Sequence, residues 1–186
     1  MRVRHVTAAS AAALALTALA APAALAAPAD ATPAALARCA EDDLTLRAEP
    51  SDDSDGVIKL SVRNNAAKAC LVDRVPTITY GDLDGAALPL PSMPHAGHTL
   101  AAHDTAYAAV RSLSDSDDAA EQARTVMFVT VTAVPDHHGH RFQALTLGAP
   151  AGLRVWEPVT TLWQDSPARA EQVLQEEITG QGTIAA

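Results

Sequence analysis

Aromatic residues, cysteines and positive charges are all scarce in this chain of 186 residues. With only two tryptophans, two tyrosines and two phenylalanines, a hydrophobic core has to be built mainly from Val, Leu, Ile and Ala. The 13 Lys and Arg residues are outnumbered by 22 Asp and Glu residues, which gives a net charge of −9. Because nucleic-acid phosphates require a basic surface, this balance argues against a nucleic-acid-binding protein.

Hydrolytic signatures are also missing from the sequence. The chain contains no Gly-x-Ser-x-Gly nucleophile elbow, no His-Glu-x-x-His helix and no Ser-x-x-Lys pair. His103, Asp104 and a nearby serine can be combined into a triad on paper, but a sequence cannot show the geometry that a triad needs. We therefore predict that the protein is not an enzyme.

The N-terminal segment has the features of an export signal. Arg2 and Arg4 precede an uncharged Ala/Leu-rich stretch, and residues 24–26 (Ala-Leu-Ala) offer the small-x-small pattern that signal peptidase accepts. We predict a signal peptide over residues 1–26, a Pro/Ala-rich linker over residues 27–38 and a secreted product. Loss of the two arginines takes the net charge from −9 to −11. The rest of the chain lacks a run of the ~20 apolar residues needed to span a bilayer, so no membrane span is expected.

Residues 39–165 contain short segments in which apolar and polar side chains alternate. In the two clearest segments the apolar positions are Leu44, Leu46 and Ala48, and then Ile58, Leu60 and Val62. A period of two is typical of strands with one buried and one solvated face, and Asp-Gly pairs at 55–56 and 84–85 predict tight turns. We predict an all-β domain, an antiparallel β-sandwich of immunoglobulin-like architecture with about seven to nine strands and no internal helix.

The C-terminal segment, residues 166–186, has a different pattern. Pro167 suits the start of a helix and Gly180 its end. The apolar positions between them are Val173, Leu174 and Ile178. This thin stripe predicts either a short surface helix or a frayed tail.

The chain has two cysteines, Cys39 and Cys70. An even pair in an exported protein predicts a disulfide bond. A redox catalyst would need Cys-x-x-Cys spacing or another thiol, and neither is present. Closing a loop of about thirty residues stabilises a fold by roughly 3–4 kcal/mol on the chain-entropy estimate.

Several segments, read in order, resemble a known family. Cys39 precedes the segment DLTLR, then KLSVRNNAAKACLVDRVPTITYGDLDG follows, and HTLAAHDTAYAAVRSL comes after it. This order resembles a family of secreted actinobacterial proteins, domain of unknown function 4232. Its motif positions are filled here by Cys39, Asn64 or Asn65, Cys70, Pro76 and Ala106. The resemblance covers Cys39 to Val134 and implies a secreted β-sandwich with a disulfide, but no activity, because the family has none assigned.

Two histidine-bearing loops are candidate metal sites. Neutral imidazole is a common ligand of zinc and copper(II), and a thioether suits copper(I). The candidate ligands are Met93, His95 and His98 in the first loop, and Asp136, His137, His138 and His140 in the second. The alternative is that both loops are exposed polar turns with incidental metal affinity.

We therefore expect a secreted, non-enzymatic binding or structural module that acts through its loops or a sheet face and needs no cofactor. The sequence leaves the partner unknown: a cell-wall polymer, another secreted protein and no specific ligand are all open. The alternative hypothesis is a secreted copper- or zinc-binding protein that uses the two histidine loops. Trp156 and Trp163 are expected in the core or at its rim, with sugar stacking as the other possible role.

Overall fold

The computed structural model describes residues 36–54, 56–91 and 96–181. The predicted signal peptide, most of the predicted linker and two candidate metal ligands, Met93 and His95, lie outside these residues. The strands are β1 (Leu44–Pro50), β2 (Val57–Asn64), β3 (Cys70–Val72), β4 (Thr77–Tyr80), β5 (Leu88–Leu90), β6 (His98–Leu100), β7 (Thr105–Arg111), β8 (Arg124–Val126), β9 (Phe128–Thr132), β10 (His140–Gln143), β11 (Leu153–Val155) and β12 (Val159–Thr161). The helices are α1 (Ala119–Gln122) and α2 (Pro167–Gln181), with short 3-10 helices at Glu41–Asp43 and Ala144–Leu147.

Hydrogen bonds join the strands of the described residues into four sheets. The largest has the order β1-β2-β7-β12-β5, the second has the order β10-β9-β4, and β11-β8 and β3-β6 form two-stranded sheets. The strand pairs are antiparallel except for β12 and β5, which are parallel. The prediction of a strand-rich fold is therefore confirmed. The prediction that the strands are antiparallel is wrong for the pair β5 and β12.

The described residues form twelve strands, more than the number predicted. One reason is that the apolar run 125–134 is divided at Met127, which is exposed and separates β8 from β9. The Met127 carbonyl accepts a hydrogen bond from the N–H of Ala144 at 2.8 Å. The other reason is that β3 and β6 pair with each other in segments for which no strand was predicted.

The one-turn helix α1 corrects the prediction that the domain has no internal helix. It lies in the acidic loop after β7, and its Ala119 side chain is buried. The Arg154 guanidinium donates a hydrogen bond to the Ala120 carbonyl at 2.6 Å. Because four residues are too few for a helix to be stable alone, these tertiary contacts hold the turn in place.

One buried cluster draws side chains from both larger sheets. Its members include Leu60 and Val62 from β2, Ile78 from β4, Val131 from β9, and Trp163. Trp163 is 1% exposed and belongs to the core, whereas Trp156 is half-buried. The sequence left open whether each tryptophan lies in the core or at its rim. The structure places the two in different environments.

The turn after β2 is held by the buried side chain of Asn64. Its amide donates hydrogen bonds to the carbonyls of Lys68 at 2.8 Å and Ala101 at 3.0 Å. Its side-chain oxygen accepts from the N–H of Ala66 at 2.9 Å. Asn65 is exposed. Asn64 thus ties the end of β2 to the chain before β3 and to the chain after β6.

Helix α2 packs on the face of the five-stranded sheet that points away from the main core. Ala170 and Leu174 are buried there in a second apolar cluster. Of the predicted stripe, Val173 and Leu174 are buried and Ile178 is half-buried, and the helix passes through Gly180 instead of ending before it. The helical alternative for this segment is confirmed. Among the described helices, none is long and apolar enough to cross a membrane.

Candidate functional site

Cys39 and Cys70 form the predicted disulfide, and both residues are buried. The bond joins the chain just before β1 to the first residue of β3. The Cys39 N–H donates to the Leu71 carbonyl at 2.9 Å, and the Leu71 N–H donates to the Ala37 carbonyl at 2.9 Å. Ala37, from the segment predicted as a linker, is therefore hydrogen-bonded to β3. Because both sulfur atoms are bonded to each other, the pair supplies no thiol chemistry.

The predicted histidine turn does not gather its imidazoles around one point. The Glu41 carboxylate accepts hydrogen bonds from the Gly139 N–H at 2.9 Å and from the backbone N–H and ring of His138 at 3.3 Å each. The Gly139 N–H is the main reason that the pKa of Glu41 is lowered, and the bonds from His138 lower it further. The His140 ring instead packs against Phe142, with ring centroids 4.7 Å apart.

The remaining described metal candidates are also separate. His98 is half-buried on β6, with Nδ1 3.5 Å from the Arg74 guanidinium. Burial, followed by the charge of Arg74, lowers the pKa of His98. Asp136 is exposed and His137 is half-buried. Within the described ranges, no three His, Cys, Asp or Glu side chains are placed to hold a metal ion, so these ligands give the copper and zinc hypothesis no support.

A cleft of about 270 Å³ lies between the turn after β4 and the connection from β11 to β12. Its apolar wall includes Tyr80, Leu83 and Trp156, and its polar rim includes Asp84, Arg124 and Glu157. The three rim residues are exposed. The cleft thus offers an aromatic side chain, two carboxylates and one guanidinium around a small volume. Such a combination suits a small polar ligand with one apolar face.

The backbone at the cleft is held on both sides of Glu157. The Trp156 N–H donates to the Ser112 carbonyl at 2.9 Å, and the Trp156 carbonyl accepts from the Ser114 N–H at 3.0 Å. The Pro158 carbonyl accepts an N–H from β5 at 2.8 Å. Between these anchors Glu157 has a φ of 48°, a left-handed conformation that is uncommon outside glycine. Such a conformation persists only where the surrounding structure enforces it. Residues in such conformations cluster at ligand sites.

Tyr80, which lines the cleft, has a buried hydroxyl group. The residue is 2% exposed, and its hydroxyl has no hydrogen-bond partner among the described residues. Burial raises the pKa of Tyr80, so the phenol stays neutral at physiological pH. A buried hydroxyl without a partner is unfavourable for the stability of the fold.

Tyr80→Phe is expected to leave the free energy of unfolding unchanged or to raise it by up to about 1 kcal/mol, because it removes an unpaired polar atom and keeps the ring. Denaturant unfolding followed by circular dichroism measures the change. Tyr80→Leu is the control and should destabilise the fold by about 2 kcal/mol or more, because it leaves unfilled space. A loss above 1 kcal/mol for the phenylalanine variant would show that the hydroxyl has a partner in the folded protein.

Sequence analysis singled out Trp156 and missed its neighbours. Asp84 was recognised only as a turn former, and Arg124 and Glu157 were not considered. The available signal was the Trp-Glu-Pro segment at 156–158, which places an aromatic side chain in a connection between two apolar strands. Nothing local indicated that the turn after β4 would lie opposite it.

The described residues form a strand-rich domain with one disulfide. Its surface carries a small cleft in which an indole lies beside charged groups. A family model, described as Domain of unknown function (DUF4232), matches residues 39–163. The chain belongs to this family. The match extends past Val134, where the resemblance noted from the sequence ended, and it includes every residue named at the cleft. No curated protein and no solved structure matches the chain.

Proposed function

We propose that the protein is a secreted, non-enzymatic binding module whose cleft holds one saccharide unit of an extracellular polymer. The observation that carries the proposal is the position of the half-buried Trp156 in a cleft of about 270 Å³. The same cleft is lined by the charged side chains of Asp84, Arg124 and Glu157. Pockets for drug-sized ligands are usually larger, so this volume favours a single ring over a longer segment.

The chemistry of the cleft matches that of a sugar ring. A pyranose has an apolar face of C–H groups, which packs on an aromatic ring, and an equatorial set of hydroxyls. The indole of Trp156 supplies the large, rigid apolar surface. The carboxylates of Asp84 and Glu157 accept hydrogen bonds from hydroxyls, and the guanidinium of Arg124 donates several. Each rim group thereby has a role toward one neutral ligand.

A binding role is favoured over catalysis because both rim carboxylates, Asp84 and Glu157, are exposed. Catalytic sites generally shield their reacting groups from water. A carboxylate exposed to solvent is available as a hydrogen-bond acceptor for a ligand. Hydrolysis of an oligosaccharide by the purified protein would overturn this part of the proposal.

The fold and the compartment are part of the same proposal. We take the five-stranded and three-stranded sheets to be the two layers of an immunoglobulin-like β-sandwich, which is supported by the single core to which both contribute. The buried disulfide is typical of oxidising compartments and supports export directed by residues 1–26. N-terminal sequencing of protein recovered from the medium is expected to begin at residue 27 or 28. A start at residue 1 would contradict the assigned signal.

Trp156→Ala is expected to weaken saccharide binding at least tenfold, because it removes the stacking surface. The measurement is isothermal titration of the purified protein with trimers of N-acetylglucosamine and of glucose. Trp156→Phe keeps an aromatic ring and should lose less affinity. Because Trp163 is buried, any ligand-induced change in tryptophan fluorescence should disappear in both variants.

Leu145→Ala is the matched control, since Leu145 is a large apolar side chain that is 68% exposed and does not line the cleft. This variant should bind as the unmodified protein does. A cationic ligand is the competing occupant, because an indole next to Asp84 and Glu157 also suits an ammonium group. Tighter binding of a lysine trimer than of either sugar would reject the saccharide proposal, and so would equal sugar binding by the Trp156→Ala variant.

A further inference from the structure

Two rows of side chains cross the outward face of strands β1, β2 and β7. The first row is Arg47, Ser61 and Tyr107, and the second is Thr45, Arg63 and Thr105. Each row therefore places one guanidinium beside two hydroxyl groups. Both rows line one open depression of about 460 Å³. We call this surface the arginine face.

Arg47 and Arg63 are exposed, and neither has a carboxylate within ion-pair distance among the described residues. Four basic side chains do have one: Arg38, Lys59, Arg111 and Arg169 pair with Asp73, Asp52, Asp115 and Glu176. Other unpaired cations among the described residues do not line this depression, which is the feature that sets Arg47 and Arg63 apart. The row beyond Arg47 differs, because there Glu49 is the register neighbour of Lys59 on the adjacent strand and places a carboxylate near that cation. The arginine face is therefore a local concentration of unneutralised positive charge.

Helix α2 packs farther along the same sheet face, over Val57 and Ala109, and it reaches the two rows only at the end of the first row. There Tyr107 packs against the apolar cluster of the helix, and Pro167 borders a depression that Arg47 and Tyr107 also line. The side chains of Arg47 and Arg63 are themselves exposed.

The geometry of the face favours two linked anionic groups over a single ion. Successive positions on one side of a strand are about 7 Å apart, and diagonal neighbours on adjacent strands are separated by about 7–8 Å. Arg47 and Arg63 stand in such a diagonal relation. Two anionic groups on neighbouring units of one chain would each find a guanidinium in its own row.

The donor set favours phosphate over carboxylate. Arginine together with Ser, Thr, Tyr and Asn side chains is the set that proteins use to contact the phosphate groups of nucleic-acid backbones. Asn65, which also lines the depression, donates a hydrogen bond to the Thr45 hydroxyl at 2.9 Å. A carboxylate is satisfied by one bidentate arginine, whereas a phosphate accepts from the guanidinium and the adjacent hydroxyls together.

We infer that the arginine face binds a polyol phosphate polymer, with two successive phosphodiester groups lying over the two rows. The site is separate from the Trp156 cleft and shares no residue with it. Because the chain as a whole is acidic, long-range attraction is weak, and the affinity depends on these local contacts.

The test is titration of the purified mature protein with a synthetic glycerol phosphate decamer at several salt concentrations. Two neutralised phosphates on a flexible strand should give a slope of about −1.4 for log K against log salt concentration. The double variant Arg47→Gln/Arg63→Gln should lose at least tenfold in affinity and most of that slope. Both side chains are exposed, so the circular dichroism spectrum and the thermal midpoint should not change.

The matched control is Arg38→Gln/Arg169→Gln, which removes two exposed arginines elsewhere and gives the same net charge. It should bind the decamer within about twofold of the unmodified protein, because neither arginine lines the depression. Loss of their surface ion pairs should change the stability of the fold little. Equal loss in both double variants would show a nonspecific charge effect and overturn the inference. It is also overturned if the decamer does not bind, or if a galacturonate decamer or a single-stranded DNA decamer binds more tightly. Trp156→Ala should leave decamer binding unchanged, which separates this site from the saccharide proposal.

Discussion

Replacing Cys39 and Cys70 together with alanine is expected to lower the free energy of unfolding by about 3–4 kcal/mol. The two residues are 31 positions apart, so the bond restricts a long loop in the unfolded chain. Both side chains are buried, and β3 is only three residues long, so few other contacts replace the bond. Denaturant unfolding of the unmodified and double-alanine proteins, both without residues 1–26, measures the loss.

Reduction provides the internal control for the disulfide. The unmodified protein should lose most of the same stability in a strong reductant, whereas the double-alanine variant should not respond. Equal unfolding midpoints for the two proteins under oxidising conditions would contradict the structural role. So would two free thiols in protein prepared under those conditions.

Asn64→Ala is expected to destabilise the fold by about 2–4 kcal/mol. The substitution removes the donors that serve the carbonyls of Lys68, Leu100 and Ala101 and the acceptor that serves the Ala66 N–H. Buried polar groups left without partners cost about 1–3 kcal/mol each, and partial access of water to the turn reduces the sum. The shift of the unfolding midpoint in denaturant, at an unchanged slope, measures the effect.

Two further substitutions sharpen the interpretation of Asn64. Asn64→Asp keeps the oxygen acceptor but turns a carboxylate toward carbonyl groups, so it should be at least as destabilising as alanine. Asn65→Ala alters the exposed neighbour and should cost below about 1 kcal/mol. Similar losses of stability for the alanine variants at positions 64 and 65 would contradict the assignment of the stabilising hydrogen bonds to Asn64.

The local part of the fold could be predicted from the sequence, because strand periodicity is a property of neighbouring residues. The alternation around Leu46 and Leu60 identified β1 and β2, and the structure confirms that the two strands pair in the antiparallel sense expected for strands joined by a tight turn. The disulfide and the C-terminal helix could also be predicted, because each has a local or compositional signature in the sequence.

Pairings between distant segments could not be predicted in the same way. Nothing in the segment around Leu88 shows that β5 joins β12 in parallel instead of returning along β4. The cleft depends on that long-range arrangement, because Asp84 and Glu157 meet only when the β4–β5 turn lies against the β11–β12 connection. The arginine face likewise requires the register of three strands, which alternation alone does not fix.

The histidine turn shows why closeness in sequence is weak evidence for a metal site. His138 and His140 are two residues apart, yet the first bonds Glu41 and the second packs on Phe142. The partner of His138 comes from a distant part of the chain, whereas the partner of His140 lies two residues farther along its own strand, so the two rings have different surroundings. Met93 and His95 lie outside the described residues, so the metal hypothesis for the first loop stays a prediction.

The proposal that a ligand binds at the Trp156 cleft can be tested by mapping backbone amide NMR shifts. The isotopically labelled protein without residues 1–26 is titrated with the N-acetylglucosamine and glucose trimers. We expect the shifts to concentrate at Asp84, Arg124 and residues 156–157, and residues 136–140 to stay unchanged. Shifts confined to the histidine turn, or no shifts with either sugar, would contradict it.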